Sequence, residues 1–349
     1  MNIQLIDIEI KIAGQKLSDD ILTKMVNFKV HSSIGVSSIA KITFFDQNAV
    51  LQDNSSFAIG KTLEISVDAD KKPNNVFNGF ITRVDYIFQS EKMDTLQLIC
   101  YDGLYKLGKS YHSRAFLKSK ISDIASKMAT EVGLSSQITA TTTKHDHIYQ
   151  NNQSNLDFLQ MHAKRLGYEL GVVEGKFYFE KAKYKSKKTS PVSLEWGEDL
   201  INFTAKIDAS EVIAEVSVNS WDSLKKANVE SVVKAGSETK IGSVKTLGSS
   251  VVKKSLKDGG KIYKQDSTDL DTAQAKDIAE THLTMASMNF LKAEGTCKGD
   301  PRFKLGEFIK IEGVGDKISG DYYISSYEHI FNNKGFKTSF EIKANGMFT

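Results

Sequence analysis

At 349 residues the chain is long enough for two or three domains. Its 40% hydrophobic and 26% charged residues argue against wholesale disorder. The 46 basic and 43 acidic residues leave a net charge of only +3, too small for a dedicated nucleic-acid binder but compatible with a local basic face.

The two cysteines, Cys100 and Cys297, lie far apart. They make neither a disulfide framework nor a Cys-x-x-Cys metal knuckle and read as buried thiols. The opening MNIQLIDIEIKIAG has no basic region followed by an apolar one. No segment approaches the roughly 18 uninterrupted apolar residues of a membrane span. Neither a signal peptide nor a spanning segment is expected.

In chain order, Ile6, Ile8, Ile10 and Ile12 alternate with Asp7, Glu9 and Lys11, the period of a strand with one buried face. Val26, Phe28 and Val30 repeat the pattern, as do Leu63, Ile65 and Val67. Phe80, Val84, Tyr86 and Phe88 follow Gly79, and Leu96, Leu98 and Cys100 add another set. The N-terminal third reads as antiparallel sheet, a sandwich or barrel. Ile121, Ile124, Met128 and Val132 then recur at helical spacing, with Gly133 as C-terminal cap. A second helix starts at Ser154, paired with Asp157 as in a capping box. Its stripe is Leu156, Leu159, Ala163 and Leu166, and Gly167 ends it. A hairpin is predicted over 168–173 and 176–180, turning at Glu174 and Gly175. Strand returns at 211–219. Residues 223–266, rich in Lys, Ser, Gly and Val, read as a β-rich insertion or a long mobile arm that orders against a partner. A third helix over about 270–288 carries Ala275, Ile278, Ala279, Leu283 and Ala286. Strands over 307–312, 322–330 and 337–344 close the chain.

The candidate chemistry is sparse. His145 and His147 could supply two metal ligands, but no third is evident. Both sit on a polar approach to the second helix. His162, within that helix, reads as a partly buried, hydrogen-bonded residue. No acid/base pair, nucleophile elbow, phosphate loop or His-Glu-x-x-His motif stands out. The lysines of 182–188 read as a solvated turn rather than a nucleic-acid site. No catalytic, cofactor-binding or metal residues are therefore assigned.

A larger pattern runs through the sequence. Gln153, Ser154, Asp157, Phe158, Leu159, Arg165, Gly167 and Tyr168 precede the hairpin GKFYFE. SRAFLKSKISDIASKMATEVGL stands upstream and VSVNSWDSLKK downstream, the latter with Trp221, Asp222 and Lys225. Near the end come Gly295, Gly299, Gly306, Gly320, Tyr322 and His329, then Gly335 and Thr338. In this order the motifs resemble the contractile-tail baseplate hub family: phage late control D proteins and the N-terminal hub part of VgrG-type spikes. Lys304 departs from the family's usual leucine-proline lead, and 226–266 matches nothing in it.

The resemblance implies a mainly β, α+β fold, with two barrel-like antiparallel β domains flanking a smaller mixed α/β domain. The expected division is 1–110 for the first β domain, 111–205 for the mixed domain, 206–225 with 285–349 for the second β domain, and 226–284 for the insertion and its helix. It implies a homotrimer that matches a hexameric tail tube or tube initiator on one side and a trimeric spike on the other. Baseplate wedge components are further implied partners. Assembly would occur in the bacterial cytoplasm, into a virion or an extracellular particle. The implied structural motif is Ser154, Phe158, Gly167, Tyr168, Trp221, Asp222, Gly306, Gly320, Tyr322 and His329. Gly306 and Gly320 would serve turns, Trp221 would be buried at a domain join, and His329 would brace a turn. Two alternatives are the hub part of a fused spike and a tail-associated cell-wall hydrolase.

Overall fold

The computed structural model of the chain describes residues 7–69, 72–90, 93–184, 190–222, 225–256 and 259–349. Ile6 of the first predicted strand, Lys185, Lys187 and Lys188 of the basic run, Ser223 and Leu224 after Trp221-Asp222, and Lys257 of the insertion lie outside these residues.

The chain is mainly β, and its largest unit is one long sheet. Its path runs Leu200–Ile207, Leu291–Lys298, Gly335–Ala344, Gly320–Asn332, Met25–Ser33, Val36–Phe45, Thr95–Tyr101, Lys72–Ile87, Thr62–Ala69, Ile8–Ile12 and Gln15–Lys16. All pairings along this path are antiparallel. The first four strands come from the C-terminal half and the other seven from the N-terminal third. The two blocks meet edge to edge, with Ser326 opposite Ser33 and Phe331 opposite Phe28.

One face of this sheet is buried except along its two end strands. Under the N-terminal block, Ile10, Phe28, Phe44, Leu63 and Leu98 share a core with Phe336 from the C-terminal hairpin. Under the other block, Leu291, Ile309, Tyr322, Ile342 and Phe348 form a second core. A single row of register partners crosses both: Cys297, Thr338, His329, Val30, Ala40, Cys100 and Ile81. Every member is 0% exposed, so the buried face continues across the join without a break. Both cysteines are buried thiols of this row.

The mixed region packs the helices Ile121–Glu131 and Asn155–Leu166 against two small sheets. One is the ribbon of Tyr111–Ser119 and His145–Ser154; the other is the hairpin Tyr168–Val173 and Lys176–Lys181 with Ser136–Ile138 added in parallel. Phe116, Ile124, Met128, Phe158, Phe177 and Phe179 fill the core between them. Glu174 and Gly175, both at positive φ (50° and 77°), close the hairpin as its tight turn requires. The polar approach holding His145 and His147 is a strand. Of its first six residues only Ile148 and Gln150 are buried, which leaves little apolar alternation to read.

The expectation of a mobile arm at 223–266 is corrected. Ala227–Lys234 and Lys261–Asp269 flank Glu215–Asp222 in a three-stranded sheet. Val216, Val218, Val229 and Val233 of that sheet pack under the helix Thr272–Ser287, with Ile278 and Leu283. Val244, Leu247 and Val252 enter the C-terminal core, and Ile241 joins Phe308 and Tyr323. The segment lacks a core of its own because its apolar side chains go into three clusters built mainly by other segments.

Candidate functional site

The motif residues fall into two groups, and most of them hold the fold. Ser154 caps the helix Asn155–Leu166: its Oγ accepts from the Asp157 N–H at 3.0 Å and donates to the Asp157 carboxylate at 2.6 Å. The Asp thus holds the capping hydroxyl, a shorter reach than the Glu of a capping box. Phe158 is fully buried against Phe116 and His162. Gly167 ends the helix at φ 68°, where a side chain would also crowd Thr281. The Tyr168 hydroxyl donates to the Ala140 carbonyl at 3.1 Å.

In the C-terminal block, Tyr322 is buried and donates to the Ile318 carbonyl at 2.6 Å. His329 meets Thr338 Oγ1 through Nδ1 at 2.9 Å, and that oxygen accepts from the Asp300 N–H at 3.1 Å, tying the strand to the turn after Lys298. Burial holds the His329 pKa down at about 3, so the ring is neutral at ordinary pH. Gly306 sits at φ 72°, where a Cβ would press on Glu169 and Tyr323. Gly320 does not serve a turn: it starts a strand, and a Cβ there would run into the Phe348 ring.

Trp221 is the clear misplacement. It is 50% exposed, on the face of its sheet opposite Val216 and Val218, so it fills no domain join. Its neighbour Asp222 is buried, accepts from the Lys225 N–H at 3.0 Å and pairs with the Lys225 ammonium at 3.4 Å.

The histidines border a cleft of about 1010 Å³ between the mixed region and the insertion. Arg165 and Asp266 bridge it with two bonds of 2.7 and 3.2 Å, both side chains largely buried. Burial, then Arg165 and His145, lower the His162 pKa to about 4. Burial, then Lys264 and Lys164, lower that of His282 to about 4. His145 is lowered too, by burial first and Arg165 second. Neutral imidazoles around one ion pair make a tie between helix and strand. Among the described residues no three His, Cys, Asp or Glu side chains are placed to share a metal ion.

A further unassigned surface is the outer face of the long sheet, invisible to sequence reading because its rows form only on pairing. One row runs Lys298, Lys337, Ile330, Lys29, Lys41, Ile99 and Arg83. Two residues along the strands lie Glu328 and His31; two further on lie Glu294 and Glu341. A shallow depression of about 380 Å³ opens over those three glutamates and His31.

An edge-joined pair of antiparallel blocks over two cores is a fold shared with phage tail proteins. The chain is similar to the 43 kDa tail protein of prophage MuSo2 from Shewanella oneidensis, with a TM-score of 0.73, 12% identity, and 98% of this chain and 99% of that one covered. A tail protein from Neisseria meningitidis MC58 gives a TM-score of 0.69 at 13% identity, over 97% and 96% of the two chains. An E. coli protein, described as a type VI secretion component structurally similar to the T4 tail proteins gp27 and gp5, gives 0.64 at 10% identity, over 96% and 76%. No curated protein matches the sequence. A family model described as the Alg8 N-terminal domain matches residues 2–333, and the chain belongs to that family. No helix among the described residues is long and apolar enough to cross a membrane.

Proposed function

We propose that the chain is the baseplate hub of a contractile tail or contractile injection machine, adapting a hexameric tube to a trimeric spike. One observation carries the reading: a single chain presents two successive antiparallel blocks, of four and seven strands, joined edge to edge in one sheet and each over its own core. Three copies would present six such blocks, matching a sixfold tube, while the assembly keeps threefold symmetry for a spike. In this reading each block belongs to one of two barrel-like β domains, 1–110 and 206–225 with 285–349. They flank the mixed domain 111–205, and 226–284 is the insertion with its helix. Wedge components would contact the outside, and the particle would assemble in the bacterial cytoplasm. The chain takes a structural part and no reaction.

A second reading makes the chain the hub part of a longer spike, favoured by its likeness to the E. coli type VI secretion component, of which it covers 76%. Light scattering of the purified chain with its spike partner tests the proposal. A mass of three copies is expected. A monomer at micromolar concentration with the partner present would overturn it.

A further inference from the structure

We propose that the basic row on the outer sheet face is a contact track for an acidic stretch of polypeptide laid across the strands. The proposal rests on the hub reading only in taking this face as open in the assembled particle. Lys298, Lys337, Lys29, Lys41 and Arg83 are all exposed and point to one side. Arg83 pairs with Asp85 at 3.0 Å, whereas the four lysines make no ion pair among the described residues. With strands about 4.8 Å apart, seven members span roughly 29 Å. The order is two cations, Ile330, two cations, Ile99, one cation.

This banding suits a partner that alternates carboxylates with apolar side chains. Each exposed contact is weak, but several in series on one chain add. A phosphate strand fits less well. The cation row is one residue wide, and the bands of Glu328 and then Glu294 with Glu341 begin about 7 Å away, two residues along the strands. The gaps in the row hold isoleucines rather than the aromatics on which bases stack.

The test measures binding of a fluorescein-labelled oligo-glutamate peptide by anisotropy, with oligo-thymidylate of equal charge as second probe. Lys29, Lys41, Lys298 and Lys337 are changed together to Gln. A control carries Lys61→Gln, Lys176→Gln, Lys276→Gln and Lys317→Gln, away from the row. Peptide affinity should fall at least about tenfold in the first variant and stay within about twofold in the control. The four Lys→Arg changes keep charge and should retain binding, which serves if the Gln variant folds poorly. Unchanged binding in the Gln variant, an equal loss in the control, loss of binding in the Arg variant, or tighter binding of oligo-thymidylate through the same lysines overturns the proposal. A chain that binds the peptide through the row yet stays monomeric beside its spike sinks the hub reading and leaves the track standing.

Discussion

Trp221 shows how far a residue type can mislead. Its large apolar surface suggests a buried anchor. Strand parity turns it outward instead, because Val216 and Val218 point at the helix Thr272–Ser287. Trp221→Ala should therefore cost about 1 kcal/mol or less in denaturant unfolding, as surface substitutions do. Phe158→Ala, at a fully buried ring, should cost about 3–5 kcal/mol. Equal losses at the two sites would show that Trp221 is packed. Glu169 makes a second residue-scale prediction. It accepts from the Tyr323 hydroxyl at 2.6 Å, yet burial pushes its pKa up to about 7. The folded value lies above the unfolded one, so its contribution is full below about pH 4.5 and is lost as pH rises through 7. Glu169→Gln should flatten that slope and be the more stable form above pH 7, by on the order of 3 kcal/mol. Urea midpoints at pH 5 and pH 8 check it; a slope unchanged by the substitution would exclude Glu169 as the source.

At the level of elements, period-two alternation made Ile8–Ile12, Met25–Ser33 and Thr95–Tyr101 legible, since each buries alternate residues against one core. The helix Asn155–Leu166 was legible from its cap, stripe and terminal glycine. Val36–Phe45 was not: its inward set of Ala40, Ile42 and Phe44 starts small, and Ile39 and Phe45 on the other face blur the pattern. For the insertion the β-rich alternative holds, and the mobile-arm alternative failed for a different reason. Its apolar residues are few and non-periodic, and they become meaningful only inside cores that distant segments build. Replacing 226–266 by a short Gly/Ser bridge from Lys225 to Ser267 should therefore prevent stable folding. It would remove Val229 and Val233 from one core and Leu247 and Val252 from another. It would also strip Asn345 of its bonds to Ile241 N at 3.0 Å and the Thr239 carbonyl at 2.7 Å. A deletion variant that melts like the full chain, followed by circular dichroism, would mark the segment as dispensable to the fold.

At the scale of the whole molecule, sequence reading reached a mainly β chain with antiparallel sheet but not the continuity of that sheet. Ser326–Phe331 meets 28–33 across almost the full length of the chain, and no local pattern announces such a pairing. The same holds for the outer rows, whose lysines are scattered in sequence and aligned only by register. The join carries a mechanical consequence. Antiparallel hydrogen bonds lie across the strands. A load directed along the strands therefore strains every bond between Ser326–Phe331 and its partners together, in shear. A load that pries the blocks apart from one end opens them in turn, like a zipper. The Phe28–Phe331 stack at 5.6 Å sits at one end of that line and guards where peeling would begin. The join between the blocks is thereby stiffer to a load along its strands than to prying from one end.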